Sequence, residues 1–313
     1  MNESMSHHSV LNAELLSFLD IKKDGVYIDA TYGRGGHSAL VLGRISKSGR
    51  LMAFDRDGEA VTDALSKFGA DTRFSINHAK FSCISELLSE FRNKIDGIYF
   101  DLGLSSPQID NAERGFSFKK SGFIDMRMDQ SLKLTAYSWL NKASEKEIES
   151  ILKELGDENR GRQIAREIVR RRPLSTTTEL SNIIVEIKGS NSHANRRHPA
   201  TKTFQALRMV VNSELEELSK GLKRAFECLS VGGRLVVVSF HSQEDRIVKS
   251  FFKELCGKSI SLPRRMPVQE DKIVPKANLI AGPIRPSQKE ISENPRSRSA
   301  TMRVVEKTPS ANP

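Results

Sequence analysis

Three aspartates each close a short apolar run: Asp29 in VYIDA, Asp55 in LMAFD and Asp101 in IYFD. Behind the first lies YGRGGHS, which sets Gly33, Gly35 and Gly36 close together. Glycines at a strand-to-helix turn let a ligand lie against bare backbone near a helix N-terminus. Alone, such a loop is equally well a tight turn with no ligand. Asp55, however, follows the loop at about the twenty-residue spacing at which dinucleotide-binding and related folds place an acid on ribose hydroxyls. The two features together point to an adenosine-containing ligand. Asp29 suits one carrying an ammonium or sulfonium better than a pyrophosphate. That places S-adenosylmethionine ahead of NAD, which these residues alone leave open.

Asp101 opens DLGLSSPQ, at the strand edge where open α/β sheets bind ligands. An exocyclic amino group of a base is a poor nucleophile because its lone pair is delocalised into the ring. An enzyme that methylates one must hold acceptors against the amino hydrogens and align the nitrogen with the methyl carbon. Asp101, the hydroxyls of Ser105 and Ser106, and a carbonyl set by Pro107 are suitable acceptors; the alternative is a plain Ser-Pro turn. Carbon-5 methylation of a pyrimidine needs a thiolate, and Cys83, Cys228 and Cys256 lie on no such loop. Transfer to nitrogen or oxygen is preferred.

SFHSQEDR follows a later apolar strand and brings Ser239, His241, Ser242, Asp245 and Arg246 toward the same edge. His241 is a candidate proton acceptor, with a structural histidine as the even alternative. Asp245 and Arg246 read as an ion pair or a phosphate contact. In DMRMD, Asp125, Arg127 and Asp129 suit a network ordering the segment that follows. No metal is expected: the transfer needs none, and His7, His8, His193 and His198 form no ligand set.

These residues need a frame. GVYIDA, GRLMAFD, TRFSINH and IDGIYFDLGL read as four strands, alternating with helical GHSALVLGRI, GEAVTDALSKF and ISELLSEFR. Such alternation predicts an α/β fold with a parallel sheet and right-handed crossovers. The rhythm stops after Arg114: EKEIESILKELG and NRGRQIAREIVRRR are helical, and a long helical stretch over 204–229 precedes the next strand, GGRLVVVSF. A helical domain inserted between the fourth and fifth strands explains this more simply than two independent domains. The expected division is 1–113 and 203–313 for the sheet domain and 114–202 for the insertion. SATMRVVEK could pair as a final edge strand.

Hydrophobic residues at 38% and charged ones at 28% fit a folded chain with disorder confined to its ends. No apolar run approaches a membrane span, and the opening residues lack an export leader. A reducing cytoplasm fits the three scattered cysteines. Lysine and arginine exceed aspartate and glutamate by 49 to 39, a net charge of +10, which favours a nucleic-acid partner. Arg160, Arg162, Arg166, Arg170, Arg171 and Arg172, with Arg196, Arg197, Lys202 and Arg208, are candidate phosphate contacts. The target base would leave its stack to meet the methyl group.

Taken in order, DATYGRGGHS, FDRD, DLGLSSPQ, AERGFSF, DMRMD, HPATKTFQALR, VNSELEEL, GGRLVVVSFHSQEDR and NPRSRSA resemble the bacterial MraW family over nearly the whole chain. The resemblance implies a Rossmann-like class I S-adenosylmethionine-dependent methyltransferase sheet interrupted by a helical RNA-recognition domain. The implied reaction is methylation of the exocyclic N4 of a P-site cytidine in the decoding centre of 16S rRNA, in the small ribosomal subunit. It also implies that Gly35, Gly36 and His37 contact the methionine end of the cofactor, Asp55 the ribose and Phe81 the adenine, with Asp101 and Gln108 completing the pocket. Gln243 departs from the family pattern, which has an apolar residue there. Amino methylation of DNA and a non-catalytic RNA-binding assembly factor are the rival readings. Oligomeric state, a homodimer included, stays open.

Overall fold

The computed structural model describes residues 9–189, 198–257 and 274–309. By compactness the chain divides into Met1–Gly103 with Leu215–Pro313, and Leu104–Glu214. The boundaries expected at 113 and 202 lie inside the second of these units.

The first unit is built on seven strands: β1 (Val26–Asp29), β2 (Arg50–Asp55), β3 (Phe74–His78), β4 (Ile95–Asp101), β5 (Leu229–Ser239), β6 (Ala277–Ile284) and β7 (Thr301–Lys307). Their order across the sheet is β3-β2-β1-β4-β5-β7-β6. β1 to β5 pair in parallel, while β7 runs antiparallel to both β5 and β6. Apolar packing on both faces explains why the central strands read as unbroken hydrophobic runs. Ile28, Phe54, Ile98, Phe100, Leu235 and Val237 enter one buried cluster. Their neighbours Tyr27, Tyr99, Val236 and Val238, offset by one residue, enter another.

Three expectations need correcting. SATMRVVEK is not an edge strand: as β7 it lies between β5 and β6. The edge is β6, whose ANLIAGPI carries a Gly-Pro and exposes Leu279 and Ile280, so it lacks the alternation that marks a strand. The long helical stretch over 204–229 is two helices, Thr201–Asn212 and Glu214–Cys228. They are separated at Ser213, whose φ of 49° is left-handed. ISELLSEFR forms only a helical turn, Ile84–Leu87, and a 3₁₀ turn, Ser89–Phe91.

The elements described between β4 and Glu214 are helical, with a buried cluster of their own that includes Ile148, Leu152, Ile164, Ile168, Leu180, Phe204 and Leu207. Reciprocal caps start several of them: Ser144 with Glu147 opens Glu145–Glu154, and Thr176 with Glu179 opens Thr177–Lys188. Such a cap contributes about 1 kcal/mol. Asp125 grips Arg127 through both carboxylate oxygens, and Arg127 also donates to the carbonyls of Gln130 and Leu132. This network orders the turn before the helix Ala136–Lys142.

Candidate active site

β1, β2 and β4 are neighbours and parallel, so Asp29, Asp55 and Asp101 come to the same edge of the sheet. Each acid has a different task. Asp29 is 1% exposed and accepts from Thr31 N, Ser38 Oγ and Tyr99 Oη at 3.1, 2.6 and 2.9 Å. It organises the loop. Asp55 accepts from Gly33 N at 2.8 Å on one oxygen and from Asp57 N at 2.9 Å on the other, so each oxygen keeps a lone pair for a hydroxyl. Asp101 has Oδ2 3.5 Å from His37 Nδ1, while its buried Oδ1 has no hydrogen-bond partner among the described residues.

Three carboxylates so close hold protons tightly. Burial pushes Asp29 up to about 6, and Asp55 adds to it against the hydrogen bonds from Ser38, Thr31 and Tyr99. Asp55 rises to about 6, again chiefly by burial. Asp101 rises furthest, to about 8, through burial and the neighbouring charges of Asp29 and Glu244. His37 goes the other way: burial lowers it to about 4.

The glycine loop is bare chiefly for the chain's own sake. Gly33 and Gly35 have φ of 57° and 73°, which a side chain rarely adopts. A Cβ on Gly35 would meet the Tyr32 ring at 2.6 Å, and one on Gly36 would meet Ser9 Oγ at 1.9 Å. His37, 4% exposed, turns its Nε2 to the Val10 carbonyl at 3.0 Å. The segment around Ser9 and Val10 therefore lies against the loop.

Phe81 stands edge-on to Phe100, with ring centroids 5.3 Å apart. A Cβ on Gly221 would come within 2.3 Å of the Phe81 ring, and Glu217 accepts from Ser82 N and Oγ at 2.9 and 3.0 Å. Sequence reading missed Gly221 and Glu217. The available signal was a lone glycine inside a strongly helical stretch, which costs about 1 kcal/mol unless something needs the space.

In the helical unit, Ser105 and Gln108 bind each other: Ser105 is the N-cap of the helix Ser106–Asp110, and its N–H donates to Gln108 Oε1 at 3.0 Å. Pro107 sits in the first turn, and its carbonyl accepts from Asn111 N at 2.9 Å. These residues shape the turn after β4. His241 likewise caps the helix Ser242–Leu255, with Nδ1 3.4 Å from Glu244 N and Nε2 3.1 Å from Glu244 Oε1. Asp245 pairs through both oxygens with Arg303, at 2.7 and 2.9 Å, and Arg246 donates instead to Gln243.

Several of the basic residues are already engaged. Arg170 and Arg171 pair with Glu167, Arg171 also with Glu186, and Arg208 with Glu214. Arg162 and Arg166 stand exposed on the helix Gly161–Arg170. His198 stacks on Phe118 with centroids 4.4 Å apart. His7, His8, His193, Arg196 and Arg197 lie outside the described residues.

A sheet of this order with a single reversed strand, a glycine turn after β1 and acids at the tips of β1, β2 and β4 defines a Rossmann-like class I methyltransferase. The sequence profile of the MraW methylase family matches residues 4–308, and the chain belongs to that family. It is 47% identical to a "Ribosomal RNA small subunit methyltransferase H" of Nitrosomonas eutropha, over 98% of each chain. It is 45% identical to a protein of the same name from Nitrosospira multiformis, over 98% of this chain and 99% of that one. Among solved structures, an rRNA methylase from Streptococcus thermophilus aligns with a TM-score of 0.41 and 12% identity, covering 95% of this chain and 94% of that one.

Family membership makes the protein a methyltransferase with S-adenosylmethionine as its methyl donor. The residues present fit that donor. Asp55 has oxygens left for ribose hydroxyls, and an ammonium or sulfonium beside the clustered acids would favour their ionised forms, which burial and their mutual repulsion disfavour. Among the described residues no helix is long and apolar enough to cross a membrane.

Proposed function

We propose that the protein methylates small-subunit rRNA, on the exocyclic N4 of a decoding-centre cytidine in the P-site region of 16S rRNA. The observation that carries the choice of an amino group is the buried Asp101 Oδ1, an acceptor without a donor among the described residues. An amino hydrogen supplies that donor. The relatives are by name methyltransferases of small-subunit ribosomal RNA, and the match extends over nearly the full length of both proteins.

Asp55 holds the ribose hydroxyls of the cofactor. Phe81, backed by Phe100 and Gly221, lies against its adenine. The backbone of Gly33, Gly35 and Gly36 faces the methionine portion. When bound, S-adenosylmethionine supplies a methyl carbon made electrophilic by sulfonium. Asp101 draws one amino hydrogen onto Oδ1, so the nitrogen's lone pair leaves conjugation with the ring and points at that carbon. Fixing this orientation gives most of the rate. Ser105, Ser106 and Pro107 act as the frame of the turn that follows Asp101, and His241 as a helix cap. Exposed Arg162 and Arg166 contact RNA phosphates, sequence-independently.

The test is incubation with methyl-labelled cofactor and one of three substrates: small subunits lacking the modification, free rRNA, or DNA. Digested nucleosides are then analysed by mass spectrometry. Label in N4-methylcytidine from subunits or rRNA supports the reading. Label in DNA, or at another atom of the base, contradicts it.

A further inference from the structure

His37 Nε2 lies 3.0 Å from the Val10 carbonyl oxygen, which can only accept. Nε2 therefore carries the ring proton, and Nδ1 presents a lone pair. That lone pair faces Asp101 Oδ2 at 3.5 Å, in a site where the imidazole is 4% exposed. An ionised carboxylate there would oppose one lone pair with another; a single proton between the two atoms turns the contact into a hydrogen bond. The separation is longer than an ordinary hydrogen bond, as pairs of this kind often are before substrate binds.

We propose that His37 and Asp101 form a proton-sharing dyad in which the Val10 carbonyl fixes the histidine tautomer, His37 holds Oδ2, and Oδ1 alone is presented to the amino group. His37 is thus a positioning residue and the proton's second station, beyond any contact its backbone makes with cofactor. This rests on the reading of the site as an amino methyltransferase.

The preferred location of the proton agrees. Burial raises Asp101 most, Asp29 from β1 and Glu244 from the helix Ser242–Leu255 add to it, and the Tyr99 phenol, which donates to Asp29, adds no cation. His37 is a weak base through burial. The proton rests on Asp101. During transfer Asp101 receives an amino proton on Oδ1 and passes the one on Oδ2 to His37 Nδ1. Meanwhile the nitrogen lone pair becomes the new N–C bond, and the C–S pair stays on sulfur. The positive charge introduced with the methyl donor ends on the imidazolium and leaves as a proton to solvent. A base as weak as His37 suffices, because an alkylated amine out of conjugation with its ring is far more acidic still.

The experiment uses full-length protein with ¹⁵N-labelled histidine. The His37 signals are followed from about pH 5 to about pH 9, a range that spans the ordinary histidine titration. The expected result is a protonated Nε2 and a bare, hydrogen-bonded Nδ1 whose shift follows a titration that Asp101→Asn abolishes. A proton on Nδ1, or a shift indifferent to Asp101, overturns the proposal. In parallel, single-turnover methylation at saturating cofactor compares His37→Phe with His37→Gln, which can still donate to Val10 and accept from Asp101. With cofactor saturating for each variant, His37→Phe is expected to be slower by about 10- to 100-fold, with partial recovery in His37→Gln. A wild-type rate in both variants, or a loss that only tracks cofactor affinity, overturns it. Wild-type protein that makes no N4-methylcytidine defeats the functional reading instead, and the imidazole spectrum still decides the pairing.

Discussion

Asp55 Oδ2 accepts the backbone N–H of Gly33 at 2.8 Å, fastening the tip of β2 to the glycine turn that follows β1. That bond holds the loop's shape, and under the proposed function the remaining lone pairs of the carboxylate take the ribose hydroxyls. Asp55→Ala should weaken S-adenosylmethionine binding by about 10- to 100-fold, the range for a hydrogen bond to a charged group. Calorimetry on protein shown to be folded by circular dichroism checks this; an unchanged Kd would remove Asp55 from the pocket.

The acid cluster sets a pH dependence. An acid whose folded-state value lies above its unfolded one binds its proton more tightly when folded, so its contribution to stability is full at low pH and is lost as pH rises through the folded value. For Asp29 and Asp55 the loss runs from about 4 to about 6, and for Asp101 from about 4 to about 8. His37, lowered to about 4, acts in the opposite sense and makes stability rise with pH up to its ordinary value near 6.5. The contributions overlap below about 6.5, leaving the window from there to about 8 to Asp101. Without cofactor, Tm should fall through that window by at most about 2–4 °C per pH unit. Asp101→Asn should flatten it, and calorimetric scans of both proteins provide the comparison.

Gly221 tests the placement of Phe81. Alanine is the better helix former by about 1 kcal/mol, yet its Cβ would meet the ring at 2.3 Å. Gly221→Ala should therefore displace Phe81 and weaken cofactor binding several-fold while the helix Glu214–Cys228 stays intact. Titration with cofactor, alongside helical circular dichroism, separates the two effects.

Ser9 and Gly36 should prove coupled. A Cβ at residue 36 collides with Ser9 Oγ, so Gly36→Ala should lower Tm, and adding Ser9→Gly should restore most of the loss. Additive losses in the double variant would mean that the two residues do not touch.

The parallel half of the sheet was legible because both of its faces are buried and its strands read as apolar runs ending in acids. Asp29, Asp55 and Asp101 could be set on one edge by that logic alone. What escaped depends on contacts between residues far apart in sequence. The Val10 carbonyl reaching His37, Gly221 making room for Phe81 and Arg303 gripping Asp245 leave no periodic trace. Ser105 and Gln108 were legible as residues of a motif, yet their spacing also fits a reciprocal helix cap, which is the hydrogen bonding they form. β6 escaped because its Gly-Pro and exposed Leu279 break the pattern by which strands are recognised.

The central claim is that an amino group of small-subunit rRNA is methylated against Asp101. Its most direct test is the yield of labelled N4-methylcytidine from unmodified small subunits, with wild-type protein and with Asp101→Ala, each at saturating cofactor and with cofactor binding measured separately. The account predicts product from wild type and a fall of at least about 100-fold in the variant, beyond any change in cofactor affinity. Equal yields from the two proteins would contradict it.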